Sequence, residues 1–213
     1  MSAMLRVVFT VFAAGLMAVV SNGASAQSRH AAIPNFPVIQ AAVETGSARA
    51  PIGWVDFCRK NPADCQGHDG AATEVLLTAK SWRLLVNVNT RVNKAIEPIS
   101  DLDHWGIVES WDYPTDGKGD CEDYVLEKRK ELIKAGLPRE ALLVTVVRDL
   151  DDEGHAVLTV RTDRGDLVLD NKRQQILSWA ATGYHFLKRQ SAAGPDLWVA
   201  LGAPETTTAT ASR

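Results

Sequence analysis

The chain has 213 residues, of which 46% are hydrophobic and 23% are charged, and its formal net charge is −3 at neutral pH. This length and composition suit one globular domain with a substantial hydrophobic core. A mildly acidic chain without a basic run gives no support for nucleic-acid binding, so we expect no nucleic-acid partner.

The N-terminus carries the features of an export signal. Arg6 precedes an apolar run at residues 7–20, and small residues end in Ala-Ser-Ala at residues 24–26. A short positive region, an apolar core and an Ala-x-Ala site are typical of a secretory signal peptide. The alternative is a membrane anchor, but the run is shorter than the roughly 20 apolar residues of a spanning helix. We therefore predict a cleaved signal peptide at residues 1–26 and a periplasmic mature protein.

Composition divides the rest of the chain into three parts. Residues 27–50 are rich in Ala, Ser and Pro without a clear period, which predicts a flexible lead-in. Residues 51–203 carry the periodic segments and form the predicted domain. Residues 204–213 are rich in Thr and Ala and are predicted to be disordered.

The cysteines indicate one disulfide and one free thiol. Cys58 and Cys65 lie close together in the sequence, and an oxidising periplasm favours a disulfide between them. The alternative is a metal site that also uses His68, although further ligands at the usual spacing are missing. Pairing these two residues leaves Cys121 single, and an odd thiol in an exported protein needs an explanation.

Hydrophobic periodicity predicts two helices followed by antiparallel strands. Apolar residues recur at helical spacing over residues 72–96 and again over residues 120–136, with a long irregular stretch between them. Strands are predicted at residues 141–147, 155–161, 167–170 and 184–190, with strand character also around residue 198. Because the helices are segregated from the sheet, we predict an α+β fold.

Cys121 stands at the start of the second predicted helix, directly after Gly119 and Asp120. A helix N-terminus offers unpaired N–H groups and a partial positive charge, which stabilise a thiolate and lower a thiol pKa. The same N–H groups can face the oxyanion of a tetrahedral intermediate, and the glycines leave room for a substrate backbone. The alternative is a small core cysteine that happens to begin a helix.

His155 and Asp170 are the candidate partners of that thiol. His155 opens a predicted strand and can serve as general base, although a lone histidine is also a common surface residue. Asp170 follows three apolar residues, and a buried aspartate needs a partner such as a histidine. A two-residue turn at Arg164-Gly165 would place Asp170 opposite Thr159, too far from His155. A four-residue loop at residues 162–165 would place Asp170 opposite Val157, within diagonal reach of His155.

Three segments in this order resemble the bacterial transglutaminase-like cysteine proteinases, a group that includes the periplasmic LapG-type proteases. They are Gly-Asp-Cys-Glu-Asp-Tyr at residues 119–124, Gly-His-Ala-Val-Leu-Thr-Val at residues 154–160 and Leu-Val-Leu-Asp-Asn at residues 167–171. The resemblance implies a papain-like core with the nucleophile helix packed on an antiparallel sheet. It also implies Cys121 as nucleophile, His155 as base and Asp170 as the residue that orients the base. The expected activity is cysteine peptidase hydrolysis through a thioester acyl-enzyme.

The resemblance also implies partners and a cation. LapG-type members cleave large surface adhesins and depend on calcium, so an adhesin substrate, an inner-membrane regulatory protein and a calcium ion are expected. Asp120, Glu122 and Asp123 are the candidate calcium ligands, because Ca²⁺ takes hard oxygen donors. The alternative for Asp120 is a helix N-cap, and acids in a first helical turn are favourable without any metal. Nothing in the sequence indicates an organic cofactor.

Two other functions stay open at the level of the sequence. The same triad can transfer the acyl group to an amine, as transglutaminases and amidases do, because the pocket around the triad selects the acceptor. A periplasmic binding module could retain the fold without catalysis. Metal ligation by Cys121, His155 and Asp170 fits the residue types, but a cysteine at a helix start already has a sufficient explanation.

Overall fold

The computed structural model describes residues 41–66 and 73–202. The predicted signal peptide at residues 1–26, the first part of the predicted lead-in, His68 and the predicted tail at residues 204–213 lie outside the described residues. Within the described part of the chain, no helix is long and apolar enough to cross a membrane.

A seven-stranded antiparallel sheet forms the centre of the domain, with the strand order β1-β9-β8-β4-β5-β6-β7. Its strands are β1 Glu44–Ala48, β4 Leu142–Arg148, β5 Gly154–Thr162, β6 Gly165–Leu169, β7 Leu177–Ser178, β8 His185–Ser191 and β9 Gly194–Leu201. A separate parallel pair joins β2 Glu97–Pro98 to β3 Lys118–Gly119. Runs of Val, Leu and Thr explain why the central strands form, since such side chains fit a pleated surface.

In the described part of the chain, four α-helices accompany the sheet: α1 Ile52–Lys60, α2 Ala79–Ala95, α3 Asp101–Trp105 and α4 Cys121–Lys134. The main core lies between the sheet and these helices, where Leu85, Leu132 and Leu158 are fully buried. Cutting such a side chain back to Ala typically costs ~2–5 kcal/mol of stability. A smaller apolar cluster that contains Val157, Trp179 and Phe186 covers other side chains of the same strands. The predicted α+β class with a helix packed on an antiparallel sheet is confirmed.

The first predicted helix begins later than the periodicity indicated. Helix α2 starts at Ala79, because Thr78 caps it and accepts a 3.1 Å hydrogen bond from the Ser81 N–H. Before the cap, Val75 pairs with Thr162 as a bridge at the end of β5 instead of continuing the helix. Val75 is buried and apolar and therefore fitted the helical period, although it belongs to the sheet.

The N-terminal boundary also differs from the prediction. Residues 44–48 fall in the segment predicted to be a flexible lead-in, yet they form the edge strand β1 and pair with β9. The Glu44 carboxylate accepts a hydrogen bond from Arg189 Nη2 at 3.0 Å. A short Gly- and Ser-containing strand has little hydrophobic period of its own, so its pairing depends on β9.

The hairpin between β5 and β6 has the register that the candidate triad requires. Leu158 pairs with Leu169 and Thr162 with Gly165, so Asp170 follows β6 at the level of Val157. The turn itself is shorter than the predicted four-residue loop, because Thr162 and Gly165 still pair across it. Gly165 has φ 103°, a left-handed value that favours glycine and allows the tight turn.

Candidate active site

Cys121 is the first residue of α4, and Asp120 is the N-cap of this helix. The Asp120 backbone N–H donates to Asp123 Oδ2 at 3.3 Å, as in a capping box. A Cβ added at Gly119 would lie 2.4 Å from Asp123 Oδ2, so the absence of a side chain there makes room for this carboxylate. The glycine before the helix was expected to serve the substrate backbone, and in the structure it accommodates Asp123.

His155 and Asp170 form a buried pair beside the start of α4. His155 Nε2 lies 2.9 Å from Asp170 Oδ1, and both side chains are almost fully buried. The Lys172 backbone N–H also donates to Asp170 Oδ1 at 2.9 Å, and the Tyr184 hydroxyl donates to Oδ2 at 2.6 Å. The carboxylate is thus held on both oxygens.

These hydrogen bonds keep Asp170 ionised and orient the imidazole. Burial acts to raise the pKa of Asp170, but the hydrogen bonds from His155 and Tyr184 outweigh it, and the net pKa lies below its usual value. Because an ionised carboxylate accepts only, His155 donates from Nε2, and Nδ1 is the ring nitrogen available to take a proton.

Cys121 and His155 line the same cleft, which has a volume of about 250 Å³. The other lining residues are Pro51, Glu109, Trp111, Glu122, Val146, Gly154, Ala156 and Lys188. Asp170 is 3% exposed and lies behind His155. The structure therefore brings the three candidate triad residues together, with the cysteine and the histidine facing the cleft.

The environment of the thiol differs from the sequence expectation of a lowered pKa. Burial raises the pKa of Cys121 well above its usual value, and the neighbouring Glu122 carboxyl adds to this effect. Cys121 Sγ lies 3.0 Å from Glu122 Oε2, while the Ala156 N–H donates to the sulfur at 3.4 Å. The helix N-terminus is present as predicted, but the adjacent acidic side chains oppose its positive end.

A group of buried and partly buried carboxylates lies beside the nucleophile. Oxygens of Asp101, Asp120 and Asp123 lie within 4.8 Å of one another. Burial raises the pKa of Asp123 to about 8, and the nearby Asp120 and Asp101 charges act in the same direction. Asp120 Oδ1 is buried and has no hydrogen-bond partner among the described residues. Clustered oxygen donors with excess negative charge fit a hard divalent cation such as Ca²⁺.

The predicted cation ligands are divided between two groups. Asp120 and Asp123 lie in the carboxylate group, whereas Glu122 lies with Asp120 and the Cys121 sulfur. Asp101 was missed by the sequence analysis. It comes close because β2 pairs in parallel with β3, which places the chain after Pro98 beside Asp120; the Asp101 N–H donates to Asp120 Oδ2 at 3.3 Å. A two-residue strand leaves no periodic signal in the sequence.

The predicted disulfide between Cys58 and Cys65 is formed, which leaves Cys121 as the free thiol among the described residues. The bond excludes the alternative in which both sulfurs bind a metal. It lies at the end of α1, and Trp54 of that helix contacts Trp111 of the cleft edge-on at 6.2 Å between ring centroids. The disulfide thus fixes the helix that supports one wall of the cleft.

Comparison with known proteins places this site in a family. The sequence profile described as bacterial transglutaminase-like cysteine proteinase (BTLCP) matches residues 44–206. Calcium-bound LapG of Legionella pneumophila is similar in structure, with TM-score 0.50 and 26% sequence identity over 59% of this chain and 73% of that chain.

Two further solved forms of Legionella pneumophila LapG give related values. One has 28% identity and TM-score 0.48, over 58% of this chain and 70% of that chain. The EGTA-treated form has 26% identity and TM-score 0.47, over 60% and 74% of the two chains. Among curated proteins, the sequence finds no match.

The family profile covers more than half of the chain, including the helix start, both strands of the β5–β6 hairpin and the segment after it. The calcium-bound LapG structure agrees with the transglutaminase-like arrangement of helices on an antiparallel sheet. The chain therefore belongs to the bacterial transglutaminase-like cysteine proteinases and is a cysteine-type peptidase.

Proposed function

We propose that the protein is an exported peptidase that cleaves a protein substrate with Cys121 as nucleophile, His155 as general base and Asp170 as orienting residue. The observation that carries this proposal is that Cys121 and His155 line the same cleft, while Asp170 bonds to the His155 ring on its buried side. Nucleophile, base and orienting group in this order are the requirements of thiol-dependent acyl transfer.

The chemistry follows from these positions. His155 Nδ1 takes the proton of the Cys121 thiol, and the sulfur attacks the carbonyl carbon of the scissile peptide bond. The first N–H groups of α4 lack intrahelical partners and support the oxyanion that forms. His155 then protonates the leaving amine, which leaves a thioester on Cys121. Water, deprotonated by His155, hydrolyses that thioester and frees the thiol.

We further propose that Asp101, Asp120 and Asp123 hold a calcium ion. The oxygen-only donor set, the raised pKa of Asp123 and the unpartnered Asp120 Oδ1 support this assignment. A bound calcium ion would offset the charge of Asp120, which adds to the rise in the thiol pKa that burial and Glu122 cause. Calorimetric titration of CaCl₂ into the chelator-treated protein tests the site. Asp101→Asn and Asp123→Asn should abolish the binding heat, whereas Asp196→Asn on β9 should not.

A surface adhesin is the proposed substrate, and an inner-membrane protein is a proposed regulator in the periplasm. Four exposed apolar side chains in the segment between Asp101 and Glu109 support a macromolecular partner: Leu102, Trp105, Ile107 and Val108. Exposed apolar residues concentrated in one segment are typical of protein interaction surfaces. This segment precedes Glu109, which lines the cleft.

The deciding experiment is cleavage of a fluorogenic peptide library by the wild-type protein, Cys121→Ala and His155→Ala, each with and without calcium. We expect cleavage by the wild type and loss of cleavage in both variants. Amine transfer to a dansylated acceptor in place of hydrolysis would indicate a transglutaminase-type activity. Retained cleavage in Cys121→Ala would exclude the thiol mechanism. Binding of peptides by the wild type without any turnover would indicate a binding module.

A further inference from the structure

The turn between β4 and β5 leads directly into His155. Strand β4 ends at Arg148 and β5 begins at Gly154, so the turn comprises residues 149–153. Val147 pairs with His155 across this hairpin, and the conformation of the turn therefore determines where the His155 strand begins. Four of the five turn residues are acidic. Because like charges repel, such a turn holds one conformation only when hydrogen bonds and a counter-charge stabilise it.

Asp149 closes this turn with one of its carboxylate oxygens. Oδ1 accepts hydrogen bonds from the Asp151 N–H at 2.9 Å and from the Glu153 N–H at 3.0 Å. The Asp149 backbone N–H donates in return to the Glu153 carbonyl at 3.0 Å. Aspartate side chains that bond to backbone groups a few residues ahead are a common means of fixing a turn. The Asp149 side chain is only 3% exposed, so this carboxylate is an internal part of the turn.

The second oxygen of the same carboxylate belongs to an ion pair with Lys172. Lys172 Nζ donates to Asp149 Oδ2, while its own side chain is partly exposed. The Lys172 hydrogen bond lowers the pKa of Asp149 to about 2, and the bonds from the turn N–H groups act in the same direction. Asp149 is therefore ionised at neutral pH and pairs with Lys172 as one charge with another.

Lys172 also contacts the triad through its backbone. Its N–H donates to Asp170 Oδ1 at 2.9 Å, and this oxygen lies 2.9 Å from His155 Nε2. The contacts thus form a closed series, from His155 through Asp170 and Lys172 to Asp149 and back along the turn to His155. Among the described residues, those that line the cleft include neither Asp149 nor Lys172.

We propose that Asp149 and Lys172 are positioning residues of this peptidase: their ion pair joins the turn before His155 to the segment after Asp170 and fixes the base relative to the carboxylate that orients it. This role deepens the proposed function and rests on it. Partly exposed ion pairs contribute little to stability, so the pair should affect the reactivity of the thiol more than the folding of the chain.

The test is a double-mutant cycle on the rate of Cys121 alkylation by chloroacetamide, measured at fixed neutral pH with calcium in every sample. Lys172→Met removes the ammonium group. Asp149→Asn keeps an oxygen that can accept from the turn N–H groups and removes the charge that pairs with Lys172. We expect each substitution to slow alkylation roughly threefold, the size expected for a partly exposed ion pair. The double variant should be no slower than either single variant, because both break one contact.

The sign of the effects separates positioning from charge that acts through space. A nearby cation favours a thiolate and a nearby anion disfavours it, so charge alone would make Lys172→Met slower and Asp149→Asn faster. Positioning predicts slower alkylation in both. Asp152→Asn is the matched control, since it removes an equal charge from the same turn, where Asp152 pairs with Arg148. We expect no slowing in this control.

Two further measurements separate positioning from a purely structural role. In a His155→Ala background, Lys172→Met and Asp149→Asn should have no further effect on alkylation, because the pair acts through the base. The downfield proton resonance of His155 Nε2–H, bonded to Asp170, should move upfield in both variants and stay in place in Asp152→Asn. A structural role alone would lower Tm and leave this resonance unchanged in the folded protein.

Wild-type alkylation rates in the folded variants, faster alkylation in Asp149→Asn, or an equal loss in the His155→Ala background would each overturn the inference. Failure of Lys172→Met to fold would also overturn it, because the lysine would then be needed for the fold itself. Should only Asp149→Asn fail to fold, Lys172→Met decides alone: slowing that disappears in the His155→Ala background supports the inference, and any other result contradicts it.

The wild-type protein and His155→Ala keep the proposed function separate from this inference. Slow wild-type alkylation that does not change in His155→Ala would contradict the triad itself. Fast alkylation that depends on His155 but not on Asp149 or Lys172 would contradict only the positioning role.

Discussion

The hydroxyl group of Tyr184 donates a 2.6 Å hydrogen bond to Oδ2 of Asp170, the carboxylate oxygen that His155 does not contact. Tyr184 also packs edge-on against the His155 ring, at 5.9 Å between centroids. Tyr184 thus contacts both His155 and Asp170. Substitution by Phe removes the hydroxyl contact to Asp170 and keeps the ring contact to His155.

Tyr184→Phe should lower peptidase activity by roughly tenfold and destabilise the protein by ~1–3 kcal/mol, because it leaves a buried carboxylate oxygen without its donor. Steady-state cleavage and urea unfolding measure the two effects. Tyr124→Phe is the matched control, since it loses a 2.7 Å bond to the Ile96 carbonyl away from the triad. Equal losses of activity in the two variants would argue that Tyr184 contributes only stability.

Gly119→Ala should weaken calcium binding and destabilise the start of α4. The added Cβ would lie 2.4 Å from Asp123 Oδ2, so the carboxylate has to move from the group that it forms with Asp101 and Asp120. Overpacking of this kind costs ~1–3 kcal/mol. Calorimetric calcium titration and thermal unfolding provide the readouts. Gly194→Ala is the control, because its Cβ would meet neighbours only at 3.8 Å. An unchanged calcium affinity in Gly119→Ala would contradict the prediction.

The stability of the calcium-free protein should rise as the pH falls from 8 towards 5. Burial raises the pKa of Asp123 to about 8 in the folded state, above its ordinary value of 3.8. Between these two values the folded state binds a proton more tightly than the unfolded state, so lowering the pH favours folding. Thermal unfolding in a chelator across this range measures the trend.

Calcium should reverse this trend, because the ion needs ionised carboxylates and binds only the folded protein. Asp123→Asn should reduce the pH dependence in the chelator, since the asparagine does not titrate. A flat profile for the chelator-treated wild type would show that the Asp123 carboxylate is ionised without a cation.

The buried ion pair between Arg189 and Asp166 should govern stability without governing catalysis. Arg189 Nη1 donates to Asp166 Oδ2 at 2.6 Å, and both side chains are about 2–3% exposed. Asp166→Ala should cost ~3–5 kcal/mol, because it removes the buried partner of the guanidinium group and leaves only the more exposed Glu44 carboxylate. The double variant Asp166→Leu with Arg189→Met should recover much of that loss. Urea unfolding measures both, and unchanged Cys121 alkylation in the folded variants is the control.

The sequence sufficed for the parts of the site that a regular pattern specifies. The helix start at Cys121 and the strand from His155 follow from caps and alternation. Counting residues left two hairpin registers open, and the structure has the one that brings Asp170 within reach of His155. The family resemblance, now confirmed, assembled these residues into a transglutaminase-like arrangement. Their catalytic roles remain predictions.

The rest depended on contacts that leave no periodic trace. Asp101 approaches Asp120 through a two-residue parallel pairing of β2 with β3. Burial of the Cys121 thiol raises its pKa and reverses the shift expected from a helix N-terminus alone, and the Glu122 carboxyl beside the sulfur adds to this effect. Burial and neighbouring charge decided that sign, and both are properties of the packed molecule rather than of the local sequence.

The Asp123 carboxylate is at once a capping partner of α4 and a member of the acidic group, two residues along the same helical turn from the thiol. Protonation, ligation or substitution of this carboxylate would therefore alter the cap of the helical turn on which the thiol stands. Binding of the proposed calcium ion to the acidic group would in this way act on the nucleophile locally, from within its own helical turn.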